Sequence, residues 1–397
     1  MRKPSVKAHQ PRLTVVSSGN LARGYGGVAY LAEALHTRGA VVQVIAPIPL
    51  DQMDDVRRFA FPIRSIYSTT PRSSWLSRRM FHLELALTGV FRDTAWIFSD
   101  LSFFREAVAI RRLRQRSKLI HYCTELLTPE EFPRLRNTNF YAKHAGVPDL
   151  IIDVNQARAA RRRERFGLLQ EILVLPNTLP LSEIPRPAPS GTLARLAGGE
   201  LPEGTPVLLY AGGTHAGAAL DSIVAAVAGL DRLAFFLAFC HSELANDVVR
   251  FRDMVNDRLG FRRGRVCPAV PRQALLACMH EATVGLVTYP YSAAPSWNQL
   301  HCAPTKAYEC IATGLPIAAS ANPSLRALVA DRAVGACAAD DSPAALRDAI
   351  GQLLAQPARL RAMSERAKRM FAEELCFERA SPPVVDRILD TLDRIPQ

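Results

Sequence analysis

The chain has 397 residues, 48% hydrophobic and 22% charged, which excludes a disordered polypeptide and allows two buried cores. No apolar run reaches the roughly 18 residues that a membrane span needs, and the basic opening "MRKPSVKAHQPRLTVVSS" lacks the long apolar segment of a secretory leader, so a cytoplasmic location is expected. A net charge of +12 suits an anionic ligand or surface, and eight cysteines without close CxxC pairs read as buried free thiols, not a disulfide framework or a zinc site.

In chain order, short β-branched runs alternate with helical patterns. The first half carries "RLTVVSS", "VVQVIAP", "TAWIFSD", "KLIHYCT", "DLIIDVN" and "ILVLPN". The second carries "PVLLYAG", "AFFLAFC", "GRVCPAV", "VGLVTYP", "LPIAAS" and "AVGACAA". Continuous apolar strands alternating with helices predict parallel sheets covered by helices on both faces. The fold class is therefore α/β, with two Rossmann-like domains facing a central cleft. We expect a first domain over 1–180, a Pro- and Gly-rich linker leading into the second domain over 181–205, a second domain over 206–380, and a C-terminal helix over 381–397 that returns to the first domain. Ligands of such sheets bind beyond the carboxyl ends of the strands, so the loops there hold the candidate residues.

After the first strand, Gly24, Gly26 and Gly27 precede an amphipathic helix; they serve either close approach of a phosphate or sugar, or a tight turn. The segment 57–83 mixes six arginines with Phe, Trp, Tyr and Leu, as does a stretch lying on an anionic membrane face or a solvated basic surface. "KLIHYCTELL" places His121 and Glu125 where they could take a proton from an incoming hydroxyl; a core-facing His121 and a helix-terminal Glu125 are the alternatives. The arginine run Ala157 to Phe166 reads as an exposed helix face, not a nucleic-acid site. In the second half, Gly212, Gly213 and Thr214 to Gly217, with His215 among them, could seat a diphosphate on backbone amides.

The most informative stretch is "HCAPTKAYECIATGLPI" (His301 to Ile317). Pro304 suits the first turn of a helix. Lys306 projects from that turn, and Glu309 lies on the same face one turn later. A lysine at a helix N-terminus opposes the dipole unless an anion sits between them, which points to a nucleotide diphosphate with its ribose on Glu309. A surface Lys–Glu pair is the competing account.

These segments resemble glycosyltransferases of the GT-B fold, in particular the retaining group called family 4. "GGVAYLAEALHTRGAVVQVIAP", Pro176-Asn177-Thr178, "PVLLYAGGTHAGAALDSIVAAVAGL", "RGRVCPAVPRQALLACMHEATVGLVTYPY" and, above all, "APTKAYECIATGLPIAAS" carry the resemblance, which spans nearly the whole chain at low similarity. It implies an enzyme that transfers a sugar from a nucleoside-diphosphate donor, UDP-linked in the first instance, to a hydroxyl of a glycan or lipid-linked acceptor in cell-envelope polysaccharide or glycoconjugate synthesis. By the same resemblance, Lys306 and Thr305 would meet the diphosphate and Glu309 the ribose. Backbone near Pro268 and Val270 would receive the base, while Gly26 and Gly27 would approach the donor. Glu125 and His121 would face the acceptor hydroxyl. No metal or other cofactor is implied, and no nucleic-acid partner; attachment at the inner membrane face would run through 57–83. Two departures stand out: His301 occupies the place of a usual glutamate, and Gly213 and Ala218 replace an arginine and a lysine. A nucleotide-sugar epimerase of the same fold, and a non-catalytic binder of nucleic acid or anionic surfaces, are the alternatives.

Overall fold

The computed structural model describes residues 12–17, 26–46, 48, 56, 59–65, 95–99, 101–133, 137–214, 219–230, 234–241, 245–289 and 296–393. The chain divides into two compact units, one of residues 1–176 and 380–397, the other of 177–379.

In the first unit the strands are β1 (Arg12–Val16), β2 (Val41–Ala46), β3 (Ile63–Ser65), β4 (Ala95–Ser99), β5 (Leu119–Cys123), β6 (Leu150–Asp153) and β7 (Ile172–Val174). They form one sheet in the order β3-β2-β1-β4-β5-β6-β7, every pairing parallel. Every residue of β4, β5 and β6 is buried, as a parallel sheet covered on both faces requires. The helix Pro382–Asp393 belongs to this unit and packs on Gly26–Thr37, with Arg38 pairing with Asp386 at 2.6 Å. β3 escapes the sequence reading because Ile-Arg-Ser, at the edge of the sheet, offers no apolar run, unlike the equally short strand Ile172–Val174.

The second unit holds β8 (Val207–Gly213), β9 (Phe235–His241), β10 (Gly264–Pro268), β11 (Val284–Val287), β12 (Ile317–Ala319) and β13 (Gly335–Cys337). Their order is β10-β9-β8-β11-β12-β13, again wholly parallel, so the winding reverses between β8 and β11. The core joins Leu208, Phe236, Leu286 and Ala318 of the sheet to Ile223, Val227, Ile350 and Leu353 of the helices. Sequence signals place the helix ends: Ser342 accepts a hydrogen bond from Ala345 N, with Pro343 in the first turn of Pro343–Leu354.

Residues 181–205, expected to be the linker and entry to the second domain, lie inside this second unit. The Glu281 carboxylate accepts hydrogen bonds from the backbone N–H groups of Gly191 (2.8 Å) and Leu193 (3.1 Å), and Ala188 N donates to Ala277 O at 2.8 Å. Proline and glycine here mark short packed turns, not a tether. The chain passes from the first unit to the second at Pro176 and Asn177, and back at Arg379 and Ala380.

No helix among the described residues is long and apolar enough to cross a membrane. All eight cysteines are free, and all but Cys337 are buried.

Candidate functional site

The reversal between β8 and β11 opens a crevice at the strand ends of the second unit, which is where an open α/β sheet accepts a ligand. β8 runs into Gly212, Gly213 and Thr214; β11 runs into Thr288 and Tyr289. Into the same region comes the helix Thr305–Thr313, preceded by Pro304 as its N-cap rather than within its first turn. No side chain caps this N-terminus, which leaves first-turn amides and the positive dipole end for another partner. Gly314 ends the helix with a positive φ of 73°, and a Cβ there would stand 2.5 Å from Lys368 Cε.

Lys306 sits over the ring faces of Tyr210 and Tyr289, its Nζ 4.5 Å and 5.2 Å from the centroids. Its Nζ donates to Tyr210 Oη at 3.4 Å, and Tyr210 Oη donates to Gly213 O at 2.7 Å. Burial lowers the Lys306 pKa to about 8, against the opposing pull of its neighbours Cys310, Cys302, Cys240 and Glu309. Burial also pushes the thiols of Cys240 and Cys310 up to about 12, so they stay neutral near pH 7.

Gly212 has a steric reason to be glycine. A Cβ there would lie 3.0 Å from Lys306 Nζ and 3.1 Å from Tyr210 Oη, close enough to push the ammonium aside by a few tenths of an ångström. Beside it, the buried Thr214 Oγ1 has no hydrogen-bond partner among the described residues, an unmet polar group at the strand end.

Glu309 lies one turn beyond Lys306 and is held by Arg272, whose Nε donates to Oε1 at 2.6 Å. Arg272 opens the helix Arg272–Cys278, which follows Pro268, Ala269 and Val270 at the end of β10. Sequence reasoning missed Arg272, together with Tyr210 and Tyr289. It missed also the relay in which Ser320 Oγ accepts from Tyr289 N (2.9 Å) and donates to Asn322 Oδ1 (2.5 Å), while Asn322 Nδ2 donates to Gln299 O (2.8 Å). His301 stacks on Trp297 with centroids 5.0 Å apart. Asn177 Nδ2 donates to Ala303 O at 2.8 Å, just before the Lys306 helix. His215 lies outside the described residues.

In the first unit, the expectation that His121 meets an acceptor hydroxyl is corrected. The ring is 1% exposed, packed against Phe104 and Tyr141, with Nδ1 3.3 Å from Cys123 Sγ. It lies within β5, where both sheet faces are covered, so the core-facing alternative holds. Glu125 follows the strand, its side chain 48% exposed and its Oε2 3.8 Å from Arg158.

The arginine run is not a wholly exposed face. Arg158 and Arg162, four apart on the helix Gln156–Phe166, are buried. Arg162 donates to Asp153 Oδ2 (2.7 Å), Tyr141 Oη (3.0 Å) and Glu125 O (2.9 Å), and Arg158 donates to Thr124 O (2.6 Å). Together they fix the loop that carries Glu125.

Gly26 begins the helix Gly26–Thr37, and at Gly27 a Cβ would stand 2.7 Å from Tyr122 Oη. The small residue there lets the helix approach that buried tyrosine. Of the segment 57–83 only 59–65 are described; Phe59 and Phe61 are buried and stacked with centroids 5.4 Å apart, so these two rings are not on the surface.

No family model matches the chain, and no curated protein matches it. Solved structures do. A glycosyltransferase from Rickettsia africae ESF-5 is 11% identical with a TM-score of 0.74, over 98% of this chain and 99% of its own. Anabaena Alr3699/HepE in complex with UDP-glucose is 13% identical with a TM-score of 0.74, over 96% and 99%. Sucrose-phosphate synthase from Thermosynechococcus elongatus is 16% identical with a TM-score of 0.70, over 97% and 98%. The fold is that of the GT-B glycosyltransferases, end to end.

Proposed function

We propose that this chain is a metal-independent glycosyltransferase that moves a sugar from a nucleoside diphosphate, UDP-linked, to a hydroxyl of a glycan or lipid-linked acceptor in cell-envelope polysaccharide or glycoconjugate synthesis. One observation carries the reading. Lys306, a half-buried cation, sits in the first turn of a helix without a side-chain cap, beyond the switch point of a sheet. A cation there opposes the dipole and loses hydration, and an anion repairs both. The structure of HepE with UDP-glucose, on the same fold, supports a nucleotide sugar as that anion.

In this reading the diphosphate rests on Lys306 and the amides of Thr305 and Lys306, with Gly212, Gly213 and Thr214 against it. Glu309 accepts from the ribose hydroxyls, and backbone at Pro268 to Val270 meets the base. Charge that builds on the departing diphosphate meets donors already oriented, which is what lowers the barrier. A retaining reaction gives the acceptor's proton to the departing diphosphate. An inverting one needs a separate base, for which Glu125 is the candidate once His121 is set aside. The lipid-linked acceptor fits attachment at the inner membrane face through the arginines of 57–83.

Thermal melts with UDP, GDP, CDP and TDP test the reading. UDP should raise the melting temperature, since a ligand bound only by the folded state must stabilise it. No shift with any of the four rejects the nucleotide site. A donor that stays intact until an acceptor is added supports transfer; one converted without an acceptor supports epimerisation.

A further inference from the structure

A carboxylate one turn from a diphosphate-binding lysine needs an explanation of its own. Glu309 stands three residues after Lys306, roughly 4.5 Å further along the helix axis, close enough for a bare negative charge to repel the anion that Lys306 would hold. It is not bare. Arg272 Nε donates to its Oε1 at 2.6 Å, with the two side chains 25% and 16% exposed, so the pair carries no net charge toward the ligand.

The pairing also sets an orientation. Arg272 comes from the helix that follows Pro268 to Val270, the stretch proposed to meet the base, and so grips Glu309 from the base side. With Oε1 engaged, rotation about the terminal bond of Glu309 is restrained, and Oε2, which has no hydrogen-bond partner among the described residues, points one way. A carboxylate fixed like this accepts two neighbouring hydroxyls together. A ribose presents two, at C2′ and C3′; a 2′-deoxyribose presents one.

We propose that Arg272 is a specificity-determining positioning residue: by fixing Glu309 it makes this site select ribonucleoside diphosphates over 2′-deoxyribonucleoside diphosphates, and so excludes deoxynucleotide-linked donor sugars. The inference rests on the nucleotide reading above. Losing one hydroxyl leaves part of a fixed, partly buried carboxylate unanswered, which a site built around that hydroxyl penalises by roughly tenfold or more.

The experiment is calorimetric titration of the full chain with UDP and with 2′-deoxy-UDP. The unaltered protein should prefer UDP by roughly tenfold or more. Arg272→Met should bring the two affinities within about twofold of each other while still binding both, because Lys306 and the helix amides remain. Arg272→Lys, which keeps the charge but loses the rigid fork, should fall between, and it decides the matter if the methionine variant does not fold. A ratio unchanged in Arg272→Met, or both affinities reduced by one factor, makes Arg272 merely structural and overturns the inference. Equal binding of the two nucleotides by the unaltered protein overturns it too, while leaving the nucleotide site intact. Binding of neither rejects the nucleotide reading itself.

Discussion

Lys306 is held in a state that the folded protein disfavours, and that has measurable consequences. Its pKa falls from 10.5 to about 8, so between those values the unfolded chain binds the proton and the folded one does not. Stability contributed by this group therefore rises as pH climbs through that window and is lowest below it. Lys306→Met removes the partly desolvated charge: the ligand-free protein should melt higher near neutral pH, and UDP should no longer shift it. A diphosphate acts the other way, restoring the ammonium. Titrating UDP at about pH 9 in buffers of different ionisation heat should reveal proton uptake, which falls away as the pH drops below about 8. At Gly212 the added methyl of an alanine would meet Nζ at 3.0 Å. Gly212→Ala should weaken UDP binding by roughly tenfold, one charge-assisted contact, with the circular dichroism spectrum unchanged.

At the level of elements, the helix Gln156–Phe166 ties β6 to the loop after β5 through the Arg162–Asp153 pair, at 1% and 0% exposure. Replacing either partner alone strands a buried charge and should cost the first unit about 3–5 kcal/mol in urea unfolding; replacing both with apolar residues of similar size should cost far less. UDP binding by the second unit should survive either change. This helix also shows what the sequence conceals. The strands were legible because runs such as "LIHYC" and "LIID" are apolar throughout, and the Lys306 helix because proline, lysine and glycine mark its ends. Arg158 and Arg162 read as surface because burial of an arginine depends on a partner, and Asp153 is itself buried only once β6 is in the sheet. His121 looked available because a strand covered on both faces hides every side chain it bears, whatever its type. Arg272 was invisible for a simpler reason: its partner Glu309 is 37 positions away in the chain, and only packing of the two helices brings them together.

At the level of the molecule, two sheets with separate cores should give two unfolding transitions in calorimetry rather than one. UDP should move only the transition of the second unit. Removing residues 380–397 should lower the other transition and leave the UDP-sensitive one in place, since the helix Pro382–Asp393 belongs to the first unit. That helix packs on Gly26–Thr37 and is pinned by Arg38 to Asp386 and by Arg387 to Glu171, each at 2.6 Å. During synthesis, then, the first unit must wait for a piece made after the second: its described strands leave the ribosome with one face of the helix Gly26–Thr37 uncovered while some 200 further residues are translated. The second unit, continuous in sequence, has no such delay, and a nascent chain halted near residue 379 should present protease with a finished second unit and an unfinished first.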